Sequence, residues 1–248
     1  MKKVAIVGAG VAGLTCARLL KDSFAVTVYE QEREVGGLIR CKRVAGSLFH
    51  TCGGHVFNSK NQMVNNWFWS VFDKGRDFVK ANRQSAVCME DGRFVDYPIE
   101  NHVYQLETSI QKAVFREIVE MLHGTKLQPE NFEEFLIGRF GNTLYELYFK
   151  PYNRKIWRQD LSSIPLSWLE GKLPMPTPEE ILNANRDRIE ERSFVHSSFY
   201  YPKNNGSQFI ADKLASGVDI CKDSQICGIE VDKKTISLQI SGGGGGNE

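Results

Sequence analysis

The 248-residue chain has no apolar run approaching the ~20 residues that would cross a bilayer as a helix. No signal peptide is expected ahead of Met1 either. These two absences make the cytoplasm the expected location, with no membrane partner expected. Charge of one sign is lacking as well: 31 Lys and Arg face 30 Asp and Glu, for a formal net charge of +1. No bulk electrostatic field therefore points to nucleic acid. The six cysteines (16, 41, 52, 88, 221 and 227) contain no C-x-x-C pair and no zinc spacing, so no metal is expected. Cys16 falls inside the first predicted helix and reads as a small core residue. Asn205-Gly206-Ser207 matches a glycosylation sequon, which means nothing without a secretory route. What remains is ordinary globular composition, with length for one large domain or two modest ones and a sizeable core.

What is present concentrates in the first forty residues. Val4 to Val7 has strand composition and runs into Gly8-Ala9-Gly10-Val11-Ala12-Gly13, a G-x-G-x-x-G turn opening onto an amphipathic helix. Such a turn lets a pyrophosphate reach the backbone and the positive end of a helix. A second strand, Ala25 to Tyr29, ends in Glu30, at the ~20-residue distance where a carboxylate accepts the hydrogen bonds of an adenosine ribose. The turn alone admits NAD and FAD equally. Glu34-Val35-Gly36-Gly37 follows directly, and its glycines let backbone N–H groups reach the diphosphate from the other side. Arg33 and Arg40 flank it with positive charge.

This Glu-x-x-Gly-Gly extension resembles that of the large FAD family holding amine oxidases, protoporphyrinogen oxidases and UDP-galactopyranose mutases. Family members more often carry a basic or polar residue directly after the two glycines, where this chain has Leu38. Gly53-Gly54-His55-Val56-Phe57 is similar to the GPHIF or GGHVI segment that lies beside the flavin ring in the mutases. The resemblance makes His55 a hydrogen-bond donor to, or redox tuner of, the isoalloxazine. The plain alternative is a turn histidine satisfied by backbone. By the same resemblance the FAD contacts are Gly8, Gly10, Val11, Ala12, Gly13, Glu30, Gln31, Gly36, Gly37, Leu38, His55, Val56 and the backbone of Ile226.

Further along, Trp67-Phe68-Trp69 with Val71 and Phe72 is aromatic at helical spacing and reads as core. Ser85–Met89 and Phe94–Tyr97 flank a turn and predict a hairpin. From Asn101 to about Arg192 the pattern is helical, with helices expected over 110–123 and 132–140, a break at Gly141-Asn142, and a resumption over 144–149. Residues 179–192 read as a charged helix with a solvated face. Within 141–176, Leu144-Tyr145, Tyr152, Lys155, Trp157, Pro165 and Leu173-Pro174 fall in step with the mutases' G-x-x-L-Y…Y-x-x-K-x-W…L-P pattern. That likeness makes Tyr152 and Trp157 the lining of a nucleotide-sugar site, although helix core is the bland reading for Tyr145 and Phe149. The mutases place an arginine before Leu-Pro to hold the substrate diphosphate. This chain has Lys172 there, a point charge without the bidentate fork.

The chain returns to the first pattern with Tyr200-Tyr201-Pro202-Lys203-Asn204-Asn205-Gly206 and a helix over 209–215, which resembles the YPKxGG…F…LA signature. Lys203 is either near the flavin or a surface lysine. Strands are expected over 218–221, 225–231 and 234–240, then a flexible Gly-rich tail. Family members continue past this point with a segment that meets the flavin's pyrimidine end.

The resemblance implies an α/β fold: a Rossmann-like FAD/NAD(P)-binding domain over 1–78 and 196–248, with an inserted helical and small-β substrate domain over 79–195. It implies an FAD-dependent mutase that interconverts pyranose and furanose forms of a UDP-sugar through a reduced-flavin N5 adduct. His55 and Lys172 would be the catalytic side chains, a nucleotide sugar the partner, and NAD(P)H a candidate reductant. An oxidase or desaturase of the amine oxidase type, and a shortened, inactive flavin-binding fragment, stand as alternatives.

Overall fold

In the computed structural model the chain divides into two compact units, Met1–Ala81 with Ser198–Glu248, and Asn82–Ser197. The structure describes residues 1–124, 128–167, 169, 176–188, 198–233 and 235–242. Among them, no helix is long and apolar enough to cross a membrane.

The first unit begins with β1 (Lys3–Val7) and β2 (Ala25–Tyr29), paired in parallel from Lys3 opposite Ala25 to Val7 opposite Tyr29. A parallel pair needs a crossover, and α1 (Val11–Leu20) supplies it. Leu14 and Ala17, three residues apart on one helical face, are its buried positions. Cys16 corrects the expectation of a core cysteine, because it is exposed. It sits two positions from Leu14, roughly 200° around the helix, so the period that buries Leu14 turns Cys16 outward. A hairpin of β3 (Cys41–Val44) and β4 (Ser47–His50) follows. Next comes α2 (Gln62–Val71), whose first amides, Met63 and Val64, donate to the Asn61 side chain at 2.9 and 3.2 Å. Its Phe68 stacks on Phe57 at 3.6 Å between centroids and meets Trp69 and Phe78 edge-on, so the aromatic run is core. The short α3 (Lys74–Asp77) and β5 (Phe78–Asn82) complete this part.

The second unit opens with the hairpin β6 (Ala86–Cys88) and β7 (Phe94–Asp96). It continues with α4 (Thr108–His123) and α5 (Phe132–Phe140), the latter capped where Glu134 N–H donates to Asn131 at 3.0 Å. From α6 (Asn142–Leu144) the chain passes through a π-helical turn, Tyr145–Phe149, into α7 (Lys150–Trp157). Pro151 explains that turn: it brings no N–H and crowds the carbonyl four residues back, and the wider π turn relieves both. A capping box at Thr177 and Glu180 starts α8 (Pro178–Asp187). This helix is less solvated than its charge suggests, because Ile181, Ala184 and Asn185 are buried. Ile99, Ile118, Leu136, Leu144, Leu161 and Ile181 form the centre of this unit's core.

The chain re-enters the first unit through β8 (Ser198–Pro202), which pairs with β5, and α9 (Gln208–Ala215), which packs beside α1. Then β9 (Asp219–Cys221) joins β2 in parallel, giving the sheet order β1-β2-β9. An antiparallel ribbon of β10 (Gln225–Val231) and β11 (Ile236–Ser241) ends the described chain. The unit's core gathers Leu14, Ala17, Val28, Phe68, Ala211 and Leu214.

Candidate functional site

The carboxyl ends of parallel strands are where α/β sheets bind ligands. At the end of β1, Gly8 N–H donates to Tyr29 O at 2.8 Å, closing the turn against β2. The helix α1 starts at once, with Gly10 as N-cap, no side-chain cap and no acidic residue in its first turn. Its first amides and its positive end are left to an anion. Gly13 cannot be replaced by a larger residue, since a Cβ there would collide with the Gly8 carbonyl and stand 3.3 Å from Ile6 Cγ2. This is the close packing of helix on strand that the motif spacing implies.

Glu30 ties the turn from the other side. One carboxylate oxygen accepts the Ala9 N–H at 2.6 Å and the other accepts the Glu32 N–H at 3.0 Å. The group is buried, 7% exposed, yet lines the cleft, so its bonds to backbone leave only its remaining lone pairs for a ligand.

The second glycine turn is stitched directly to the first. Gly36 N–H donates to Ala9 O at 2.8 Å, and Gly10 and Gly36 form an isolated parallel bridge. Gly36 has φ +118°, a backbone that glycine alone adopts freely. Arg40 closes this side, with its guanidinium 3.3 Å from the Glu32 carboxylate.

Together these turns bound a cleft of about 460 Å³. Of the residues singled out from sequence, Gly8, Gly10, Glu30, Gln31, Gly37, Leu38, Arg40 and Ile226 line it. Val11, Ala12, Gly13 and Gly36 do not belong to the lining; Val11 and Ala12 are exposed at the helix start, and Gly13 and Gly36 hold the close approaches of the two turns. Val7, Tyr29, Glu32, Cys52, Ser224 and Gln225 also line the cleft, and sequence reasoning does not single them out. Tyr29 and Val7 are legible as strand ends. Cys52 and Ser224 carry no motif signal, because only the fold brings them here.

His55 is half-buried and Val56 is 47% exposed; neither belongs to the cleft lining. Lys203 is engaged with backbone, its ammonium donating to Gly75 O at 2.7 Å. In the second unit, Tyr152 and Trp157 lie on α7 and are 49% and 38% exposed. Tyr152 stacks on Tyr148 at 5.2 Å with an interplanar angle of 22°. Burial, then the neighbouring Tyr152, Tyr97 and Glu100, pushes the Tyr148 phenol above its ordinary range. Glu100 is itself buried, and that burial raises its carboxyl to about 7. Lys172, with Leu173-Pro174, lies outside the described residues. Among the described residues no group of three or more His, Cys, Asp or Glu could hold a metal ion.

A family model described as an NAD(P)-binding Rossmann-like domain matches residues 6–75. The dTDP-fucopyranose mutase of Escherichia coli is 27% identical over 183 residues, covering 71% of this chain and 46% of its own. A Klebsiella pneumoniae protein named "Probable UDP-galactopyranose mutase" is 28% identical over 181 residues, covering 70% of this chain and 45% of its own. The crystal structure of reduced UDP-galactopyranose mutase superposes with a TM-score of 0.83 at 24% identity, over 98% of this chain and 54% of that one. The chain is thus related to the sugar-nucleotide mutases and has their fold, an α/β Rossmann-like architecture. It spans about half the length of the relatives it matches.

Proposed function

We propose that the first unit holds FAD and that the chain serves a mutase that interconverts pyranose and furanose forms of a nucleotide-linked sugar. The observation that carries this reading is the Gly36 N–H bond to Ala9 O at 2.8 Å, which brings two glycine turns to one cleft. A single turn would suit a nicotinamide dinucleotide as well. The second supplies backbone amides on the opposite side of a diphosphate.

The residues present fit the cofactor. The uncapped start of α1 and the Arg40 guanidinium offer positive charge to the diphosphate. Glu30 is assigned to the ribose, with the lone pairs its backbone bonds leave, and the Ile226 backbone to the adenine. His55 is assigned to the isoalloxazine, as a hydrogen-bond donor. Bound in its reduced form, FAD supplies a nucleophile for the anomeric carbon of the sugar. The chain's part is to orient the sugar nucleotide and exclude water. Tyr152 and Trp157 offer aromatic faces to the nucleobase, and Lys172 a positive charge to the substrate diphosphate. NAD(P)H is the candidate reductant. Two relatives are named for dTDP and UDP sugars, and either nucleotide suits an aromatic stacking surface.

The test has two steps. FAD is titrated into purified protein and followed by its fluorescence, with one-to-one saturation expected. Dithionite-reduced protein is then incubated with dTDP-fucopyranose or UDP-galactopyranose, and the furanose isomer is sought by chromatography. Absence of flavin binding overturns the cofactor reading; binding without isomerisation of either sugar overturns the mutase reading alone.

A further inference from the structure

Behind the second glycine turn lies a buried amide that no motif identifies. Gln208, the first residue of α9, is 8% exposed. Its Oε1 accepts the Cys41 N–H at 3.3 Å. Its Nε2 donates to Val35 O at 3.1 Å and to Asp212 Oδ1 at 2.9 Å. Val35 directly precedes Gly36-Gly37, and Cys41 directly follows Arg40, so one side chain holds both ends of the segment that carries Gly37, Leu38 and Arg40 into the cleft. The fit is close: a Cβ on Gly36 would stand 3.2 Å from Ala211 Cβ and 3.4 Å from Gln208 Oε1.

The same anchorage continues beside it. Cys41 Sγ lies 3.3 Å from Ser207 Oγ and 3.4 Å from His50 Nδ1, and His50 Nε2 lies 2.7 Å from the Tyr201 hydroxyl. The loop leading into α9 is therefore locked to the hairpin that follows the turn.

We propose that Gln208 is the positioning residue of the second diphosphate turn, fixing the backbone of residues 35–41 for the cofactor. The inference rests on the reading of the cleft as an FAD site. The chemistry selects glutamine specifically. Two donors and one acceptor are all in use, and the acceptors they meet are a carbonyl and a carboxylate. Glutamate would lose both donors and set a charge against Val35 O and Asp212. Protonated, it would regain one O–H donor.

The experiment compares wild type with Gln208→Glu and Gln208→Ala in binding FAD and AMP, the latter lacking the diphosphate. Removing a buried hydrogen bond of this kind is expected to weaken FAD binding about tenfold, with AMP affinity within about threefold of wild type. Burial and the adjacent Asp212 carboxylate disfavour the ionised form of the carboxyl introduced by Gln208→Glu, so FAD affinity of this variant is expected to recover as pH falls from about 8 to about 5.5. The wild-type profile, measured in parallel, is the reference against the other charged and ionisable groups that face this segment, Asp212, Cys41, Arg40 and His50. FAD affinities unchanged in both variants overturn the proposal, as does an equal loss of FAD and AMP, which marks a merely structural role. A wild type that binds no FAD instead removes the underlying cofactor reading.

Discussion

Glu30 accepts the Ala9 N–H at 2.6 Å through Oε2, joining the end of β2 to the turn that follows β1. Its Oε1 accepts from Glu32 N–H at 3.0 Å, so the carboxylate organises backbone on both sides before any ligand arrives. An isosteric amide cannot do this. In Glu30→Gln, an NH₂ group must face a backbone N–H at one of the two positions, leaving a buried donor without an acceptor. The expected loss is about 1–3 kcal/mol of unfolding free energy, together with weaker FAD binding. Urea denaturation and a fluorescence titration measure the two. Wild-type stability in this variant would show that the carboxylate acts only on the ligand.

The glycines of the chain are not equivalent, and two of them give opposite predictions. Gly13→Ala puts a methyl group into the Gly8 carbonyl, forcing α1 away from β1. It should cost at least about 2 kcal/mol and abolish dinucleotide binding. Gly138 lies within α5, where a methyl group would meet no atom within 4 Å, and its φ is not positive. There Ala improves the helix by roughly 0.5–1 kcal/mol. The pair is read by the urea midpoint; destabilisation at position 138 would show a contact that the fold does not contain.

Much of this is legible in the sequence because local chemistry decides it. Ala25–Tyr29 is a run rich in β-branched residues and Phe132–Phe140 lies between the Asn131 cap and Gly141, and both occur as read. The glycine turns are legible because no other residue allows helix and strand to approach so closely. Cys16 reads as core by residue type, whereas helical phase decides its exposure. The Gln208 bonds to Cys41 and Val35 cannot be seen in the sequence at all, since they join residues 167 and 173 positions apart. Glutamine at the start of a helix carries no signal of its own. Its role exists only once α9 lies behind the turn. Glu30 is half legible: its spacing points to a ribose, whereas its grip on Ala9 is a tertiary fact.

Glu100 gives a pH prediction with a definite sign. Burial raises its carboxyl from the ordinary 4.5 to about 7, so between these values the folded state holds a proton that the unfolded chain releases. Stability contributed by the neutral form is full below about 4.5 and falls as pH rises to about 7, by roughly 3 kcal/mol in all. Glu100→Gln keeps the shape and removes the titration. The variant should therefore gain on wild type as pH rises from about 5 to about 8, the difference levelling above 7. Urea unfolding of both proteins across that range measures it, and parallel curves would show that Glu100 does not titrate there.

The second unit supplies the last prediction. Tyr152 is 49% exposed and rests on Tyr148 with its ring tilted 22° from parallel, so it is held in place while still presenting aromatic surface. Tyr148 preorganises it, which lowers the ordering cost of stacking a base on it. If that surface takes the nucleobase of the substrate, Tyr152→Ala should weaken UDP or dTDP binding by about 1–3 kcal/mol, roughly a fivefold to 150-fold change. The FAD affinity should stay as it is, because the cleft lining contains no residue of the second unit. Tyr152→Phe keeps the ring and loses only the hydroxyl, and it should bind as wild type. Calorimetric titration of the three proteins with each nucleotide separates the cases: loss in Tyr152→Phe as large as in Tyr152→Ala assigns recognition to the hydroxyl and removes stacking as its cause.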